Sequence, residues 1–212
     1  MARPRATNYD SKRRVILDRS AELFSEYGYD RASMSRIATA CGVSKANLYH
    51  YYKDKEELLF DVIRFHLENL LAVVEAADQP DSAPQDRMRA LVAALLEAYR
   101  DADAQHNVQI SSMRFLPEER QTELKNMERE LVATFSGAVA GVAPDLKGTA
   151  LLKPVTMSLF GMVNWHYLWF RDNGAFSRAD YADLVTRLIA DGTRDLLPKA
   201  IPAKSKASLR QR

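Results

Sequence analysis

The fold of this chain is decided by residues 33–58, which read SMSRIATACGVSKANLYHYYKDKEEL. Ser33 can cap a short helix, and Gly42 can end that helix within about nine residues. Ser44 can then cap a second short helix that runs to about residue 51. Two short helices joined by a glycine-containing turn form the unit that places a helix in the major groove of DNA. The stretch therefore predicts a helix-turn-helix.

Within this stretch, apolar and polar side chains separate into a packing side and an outward side. Ile37, Ala38, Val43 and Leu48 are apolar where the two short helices must pack on each other and on the helix before them. Outward side chains in the first turn of the second helix can contact base edges, and those further along can bind phosphate. The predicted base-contacting residues are Lys45, Ala46 and Asn47. The predicted residues for backbone contacts and register are Ser33, Ser35, Tyr49, His50, Lys53 and Lys55. Ser44, at the start of the second helix, can meet bases or phosphates.

Helical periodicity continues through nearly the whole chain, so we predict an all-α fold. A first helix is expected at about 11–27, and Asp54 with Glu57 predicts the start of a long connecting helix that ends near residue 77. In the second half, helices are expected at about 85–102, from near 107, from Pro117 to about 142, at 149–172, and from Ser177 to about 196. We expect a three-helix DNA-binding domain at 1–56, a helical bundle at 57–197, and a disordered basic tail at 198–212.

The charges of the chain separate along its length. The net formal charge is +5 over residues 1–53, −8 over 54–196 and +5 over 197–212. A basic N-terminal block can neutralise phosphates and release condensed counterions. A basic face that serves only solubility would give the same charge balance. The helix-turn-helix motif, and not the charge, therefore has to decide between DNA binding and solubility.

The segment Met34 to Leu58 resembles the TetR family of transcriptional regulators, together with the upstream residues Ala21-Glu-Leu-Phe and Gly28-Tyr29. The resemblance covers about residues 11–60. Three residues depart from the usual pattern of the family, namely Cys41, Ala46 and Tyr52. These departures are compatible with the fold. The resemblance implies a homodimer that recognises a palindromic double-stranded operator, and a body that binds a small effector.

One aromatic stretch in the body narrows the expected effector. Asn164-Trp165, Trp169-Phe170 and Gly174 resemble, in order and spacing, a segment of the TetR regulators that respond to acyl-CoA thioesters. We therefore expect an acyl- or aryl-CoA effector, with ligand contacts from Met113, Arg114, Asn164, Trp165 and Trp169. The alternatives are that the two tryptophans pack the core or a dimer interface and that Arg114 forms a surface salt bridge.

Other function classes find little support in the sequence. The single cysteine, Cys41, excludes an internal disulfide and fits a reducing cytoplasm, and neither a signal peptide nor a transmembrane span is expected. The four histidines lack metal-ligand spacing, and we identify no catalytic constellation, so neither an enzyme nor a cofactor is expected. The main alternative is a dimeric DNA-binding protein that needs no ligand.

Overall fold

The computed structural model describes residues 4–194 and residue 196, with side chains from residue 9 onward. This part of the chain is helical and contains no strand, which confirms the all-α prediction. Three short 3-10 turns lie at Met113–Phe115, Pro144–Leu146 and His166–Leu168. The helices are α1 (Pro4–Tyr27), α2 (Met34–Ala40), α3 (Lys45–Tyr51), α4 (Lys55–Ala77), α5 (Pro84–Ala98), α6 (Asp103–Ser112), α7 (Glu118–Val142), α8 (Leu152–Asn164) and α9 (Arg178–Gly192).

The head of the molecule consists of α1, α2 and α3. Ile37 and Leu48 are fully buried, and they belong to a core that includes Phe24 of α1. Gly42 has a φ of +64° in the turn between α2 and α3. An L side chain there would be strained, so this turn requires glycine. The two helices are thereby held at the angle that leaves one side of α3 free.

The long helix α4 joins the head to the body. It packs on α1 on the head side and on α5, α6 and α7 on the body side. Asp54 accepts a 2.7 Å hydrogen bond from the backbone N–H of Glu57, which caps the helix as predicted. The Glu57 carboxylate accepts from the N–H of Lys53 instead of Asp54, so the reciprocal capping box is incomplete. The boundary predicted at residues 56 and 57 falls inside this helix.

The body is built around α5, which lies against α9, α7 and α4. Its core contains Met88, Leu91 and Leu95 from α5 together with Phe135 of α7 and Val185 of α9. The same helix α6 that packs on α4 also packs on α1, so the body contacts the head directly.

Several predicted helix limits were wrong. α1 begins at Pro4, α5 ends at Ala98, and α6 begins at Asp103. The helix expected over 149–172 ends at Asn164, because Trp165 and the 3-10 turn that follows change the direction of the chain. α9 ends at Gly192, and Pro117 lies just before α7. The predicted disordered tail, 198–212, lies outside the described residues.

Candidate nucleic-acid interface and effector site

The outward side of α3 presents the predicted base-contacting residues. Ser44 caps the helix, and its hydroxyl accepts a 3.1 Å hydrogen bond from the backbone N–H of Asn47. Lys45, Ala46 and Asn47 are exposed, and Leu48 is the buried residue of the helix. A polar first turn thus lies free at the positive end of a helix, and it can meet bases and phosphates.

The predicted phosphate-contacting residues surround this helix. Tyr49, His50 and Lys53 are exposed beyond its first turn, and Ser35 is exposed on α2. Ser33 is also exposed, and its hydroxyl accepts a 3.3 Å hydrogen bond from the backbone N–H of Arg36. These groups are all accessible to a DNA backbone that approaches α2 and α3.

Lys55 has a different position from the phosphate contact expected for it. Its Nζ donates to the backbone oxygens of Tyr29 at 2.7 Å and Ala32 at 3.0 Å, with Asp30 O at 3.4 Å. The ammonium also lies 4.1 Å from the centre of the Tyr29 ring. Because its three N–H donors already face carbonyl oxygens, Lys55 fastens the segment before α2 to the start of α4.

Two surface contacts near the interface were missed by the sequence analysis. The exposed Arg36 guanidinium on α2 lies 4.1 Å from the centre of the Tyr27 ring. Tyr9 of α1 stacks on Tyr51 of α3 at 4.8 Å, so the end of α3 is supported by the first helix. In the sequence, the signal for a DNA contact by Arg36 is its positive charge next to Ser35, a predicted phosphate contact. The Tyr9 contact joins residues 42 positions apart and has no local pattern.

A buried ionic network fixes the head on α4. Asp61 of α4 accepts hydrogen bonds from Arg13 of α1, from the Tyr52 hydroxyl at 2.8 Å and from Arg64 Nη2 at 2.9 Å. Burial raises the pKa of Asp61, but the hydrogen bonds from Arg64, Tyr52 and Arg13 outweigh it and leave the pKa below its usual value. The network joins α1, the residue that ends α3, and α4.

The five residues predicted to bind a ligand differ in exposure and in the groups that they contact. Trp165 and Trp169 are 51% and 54% exposed at the end of α8 and after the following turn. Arg114 is exposed, with its guanidinium 5.0 Å from the Phe115 ring, and Met113 beside it is buried. No hydrogen bond or ring contact joins Arg114 to either tryptophan in the described part of the chain.

Asn164 lies instead in a polar cluster inside the body. Its Oδ1 accepts a 2.9 Å hydrogen bond from the Tyr99 hydroxyl, and its backbone oxygen accepts one from His106 Nε2 at 3.2 Å. His66 lies next to His106, with the ring centres 6.0 Å apart. Two nitrogens of this cluster, His66 Nε2 and His106 Nδ1, are buried without a partner. Burial lowers the pKa of His66 to about 3 and that of His106 to about 4, so both rings are neutral near pH 7.

A cleft of about 830 Å³ opens between the head and the body, next to this cluster. Its walls are α1, α4 and the segment from the end of α5 to the start of α6, and His66 is one of its lining residues. None of the five predicted ligand residues lines it. Its volume is typical of small-molecule sites, which often lie between domains.

The two parts of the chain match two descriptions of one family. Residues 16–62 match the bacterial regulatory proteins of the tetR family, and residues 81–193 match the tetracyclin repressor-like C-terminal domain. The chain belongs to the TetR family. It is therefore a DNA-binding transcriptional regulator, as the resemblance of residues 34–58 implied.

Solved structures of other TetR-family regulators match this regulator over most of its length. A TetR-family transcriptional regulator from Bordetella parapertussis has 33% sequence identity and a TM-score of 0.79, with 87% of this chain and 97% of that chain covered. AibR in complex with isovaleryl coenzyme A and operator DNA has 26% identity and a TM-score of 0.71, with 84% and 97% covered.

The match to a curated relative is more restricted. The HTH-type transcriptional repressor Rv1474c of Mycobacterium tuberculosis is 40% identical over 63 residues, which are 30% of this chain and 34% of the relative. The regulator thus aligns with about a third of the length of that repressor. TetR-family proteins are regulators and not enzymes. Among the described residues, no helix combines the length and apolar character that crossing a membrane requires.

Proposed function

We propose that this TetR-family regulator is a homodimeric repressor that binds a palindromic operator through α3 and is released by a small effector. The observation that carries the proposal is the exposed first turn of α3, capped by Ser44 and set by the turn at Gly42. Two such helices related by a two-fold axis would fit successive major grooves one helical turn apart.

In this proposal, Asn47 and Lys45 contact base edges in the major groove. An asparagine amide can bond to adenine in two places, and a lysine ammonium can bind guanine acceptors. Ala46 between them leaves room for close approach or for a thymine methyl group. Ser33, Ser35, Tyr49, His50 and Lys53 contact the backbone, while Ser44 both caps the helix and borders the phosphates.

The DNA assignment is tested with Lys45→Ala, Asn47→Ala and the control Lys147→Ala, since Lys147 is exposed on the body. The operator is a duplex that the wild-type protein selects from a random library. Asn47→Ala should lose preference at particular base pairs at a cost of about 1–3 kcal/mol. Lys45→Ala should weaken binding to the operator more than to unrelated duplexes, because the lysine contacts bases; an equal loss on all sequences with a salt slope smaller by about 1 would make it a phosphate contact instead. If both variants bind as Lys147→Ala does, α3 is not the recognition helix.

Dimerisation is supported by an apolar surface on α8, α9 and the turn after α8. Met157 of α8 and Leu184 and Leu188 of α9 are exposed, as are Trp165 and Trp169. Exposed large apolar side chains on elements that pack on each other are typical of an interface, and α8 packs on α9. The tryptophans therefore fit the dimer alternative better than the ligand contact expected for them.

This surface is tested by Leu188→Glu, with Ile110→Glu as the matched control. Leu188 is 52% exposed on α9, and Ile110 is 50% exposed on α6, so neither change disturbs the core. A charge in a buried apolar interface leaves an uncompensated ion, so Leu188→Glu should dissociate the dimer while Ile110→Glu should not. Sedimentation velocity measures the outcome, and a Leu188→Glu protein that remains dimeric would place the interface elsewhere.

The effector class is supported by two similarities. The aromatic stretch resembles the CoA-responsive regulators, and AibR, with 26% identity, has been solved with isovaleryl coenzyme A. We propose an acyl- or aryl-CoA, tested by the thermal shift of the protein with CoA thioesters of graded chain length. An effector at 100 times its Kd stabilises by about 2.7 kcal/mol. Free CoA is the control, and the absence of any shift across the series would refute this class.

The second candidate is a ligand-independent dimeric DNA-binding protein. It is favoured by the absence of the five expected ligand residues from the lining of the cleft, whereas the presence of the cleft next to His66 favours a sensor. Operator binding that no small molecule alters would support the ligand-independent alternative.

A further inference from the structure

An aromatic ring of the body stacks on a ring of the head. The 3-10 turn Met113–Phe115 follows α6, and its Phe115 ring lies against the ring of Tyr29 in the head. The ring centres are 5.1 Å apart, and the ring planes differ by 24°. Aromatic pairs with centres about 4.5–7 Å apart stabilise a contact beyond the apolar area that they bury. The stack therefore holds one point of the head against the body.

Tyr29 lies in the segment that leads from α1 into α2. It follows Gly28, whose φ of +81° comes directly after the end of α1, and it precedes the N-cap residue Ser33 by four positions. Lys55 binds the Tyr29 carbonyl oxygen and also lies against its ring. The Tyr29 ring is 5.6 Å from the ring of Phe24, which belongs to the buried core of the head. A displacement of Tyr29 would therefore be passed to the start of α2.

Phe115 is held in place on the body side. Leu116, which follows it, is 4% exposed. The Leu116 carbonyl oxygen accepts a 2.8 Å hydrogen bond from Nε2 of Gln121, in the first turn of α7. The turn that carries Phe115 is thus fastened to α7, so the position of its ring follows the body.

Two other side chains of the body contact α1 and α4. Gln105 of α6 donates a 3.1 Å hydrogen bond to Asp18 of α1, and the Arg120 guanidinium of α7 lies 4.9 Å from the centre of the Phe60 ring of α4. Neither of these contacts involves the segment before α2. The stack of Phe115 on Tyr29 does, so it is the contact that a movement of this segment relative to the body would have to break.

We propose that Phe115 is a positioning residue for operator binding: it holds the head through Tyr29 and so sets the half-site spacing that the dimer selects. This role rests on the proposed function, since one spacing is selected only by two heads on one palindromic duplex. With the stack intact, a head that shifts to another spacing has to separate the two rings. Without the stack the shift costs less, so operators of other spacings are bound with a smaller penalty.

The experiment measures how strongly the protein discriminates between half-site spacings. The operator that the wild-type protein selects is compared with duplexes in which one central base pair is inserted or removed. This change moves one half-site by about 3.4 Å and turns it by about 35°. Fluorescence anisotropy gives the ratio of the Kd for the altered duplex to the Kd for the operator. Phe115→Ala should lower this ratio about two- to twelvefold, the equivalent of one lost aromatic pair.

Further variants show whether Phe115 acts through Tyr29. Phe115→Tyr keeps the ring and should keep the wild-type ratio, and Ile110→Ala, exposed on α6, is the control for truncation of an apolar side chain. Tyr29→Leu keeps apolar volume next to Phe24 and should lower the ratio as Phe115→Ala does. In the double variant of Tyr29→Leu and Phe115→Ala the ratio should fall no further, because the two changes remove one contact.

A duplex with a single half-site separates positioning from a purely structural role. It reports on α3 alone, so Phe115→Ala should bind it as the wild type does. A loss of half-site affinity with an unchanged spacing ratio would show that Phe115 only supports the fold, and would overturn the proposal. Additive effects of the two changes in the double variant would also overturn it.

The remaining outcomes separate this proposal from the proposed function. If circular dichroism shows that Phe115→Ala does not fold, Phe115→Leu, which keeps apolar packing without a ring, carries the same test. A spacing preference of the wild type that the folded variant retains in full overturns the role of Phe115 alone. Equal binding of every spacing by the wild-type protein refutes the dimeric operator of the proposed function, and the role of Phe115 with it.

Discussion

Replacing Asp61 with asparagine should weaken the packing of the head on α4 and lower the free energy of unfolding. Asp61 is 8% exposed and accepts from Arg13, Arg64 and Tyr52. An asparagine would keep one acceptor and turn an N–H₂ group toward a donor. Arg13 would lose its counter-charge, and Arg64 would keep only Glu68, which lies 3.1 Å from its Nη1. Tyr52 would compete with them for the remaining oxygen.

The size of the effect follows from burial. Breaking a fully buried ion pair costs about 3–5 kcal/mol. The side chains of Arg13 and Arg64 retain 27% and 34% of their exposure, so water can solvate them in part. We therefore expect the free energy of unfolding to fall by about 1.5–3 kcal/mol, which lowers Tm by about 3–12 °C for a chain of this size.

Urea denaturation at pH 7 measures the difference, with Glu97→Gln as the control. Glu97 forms an exposed i,i+3 pair with Arg100, and its loss should cost at most about 0.5 kcal/mol. Asp61 has a lowered pKa in the folded state, so its stabilisation is present above the unfolded pKa and is lost as the pH falls through the folded one. The difference between wild type and Asp61→Asn should therefore shrink below about pH 4. Equal effects of the two variants at pH 7, or a difference that grows in acid, would refute the role of the network.

Three further predictions concern the fold around α3 and around the histidine cluster of the body. Lys55→Gln should lower the free energy of unfolding by about 1–3 kcal/mol, because carbonyl oxygens lose their donor, while the salt slope of DNA binding stays unchanged. Ser44→Ala should cost about 1 kcal/mol of stability and weaken operator binding, since it removes the cap of α3. The free energy of unfolding should fall as the pH drops from about 6.5 toward about 4, because unfolding lets the neutral, buried His66 and His106 bind protons.

Each of these has a clear contrary result. A smaller salt slope of DNA binding for Lys55→Gln would support the phosphate contact that the sequence predicted for Lys55. Full operator affinity in Ser44→Ala would show that α3 is ordered by packing alone. Replacing His66 with glutamine should reduce the acid sensitivity, and an unchanged pH profile would exclude that histidine as its source.

The DNA-binding head was largely predictable because its signals are local. Ser33, Gly42 and Ser44 fix the limits of α2 and α3 through caps and a turn, which depend on neighbours within four residues. The alternation of buried Leu48 with exposed neighbours follows from helical periodicity alone. The family resemblance added the dimer and the operator as expectations.

The body was less predictable because its features join distant parts of the chain. Lys55 is a residue type that often binds phosphate. Only the distances from its Nζ to the carbonyl oxygens of Tyr29 and Ala32 show that its ammonium group binds the protein backbone. The helix predicted over 149–172 would have carried both Trp165 and Trp169, but α8 ends at Asn164 and both tryptophans lie beyond it, on either side of a 3-10 turn. The sequence by itself determined the all-α class, the caps of α2 and α3 and the outward residues of α3. The tertiary structure alone decided the Asp61 network and the cleft beside His66, because contacts between α1, α4 and α6 leave no local pattern in the sequence.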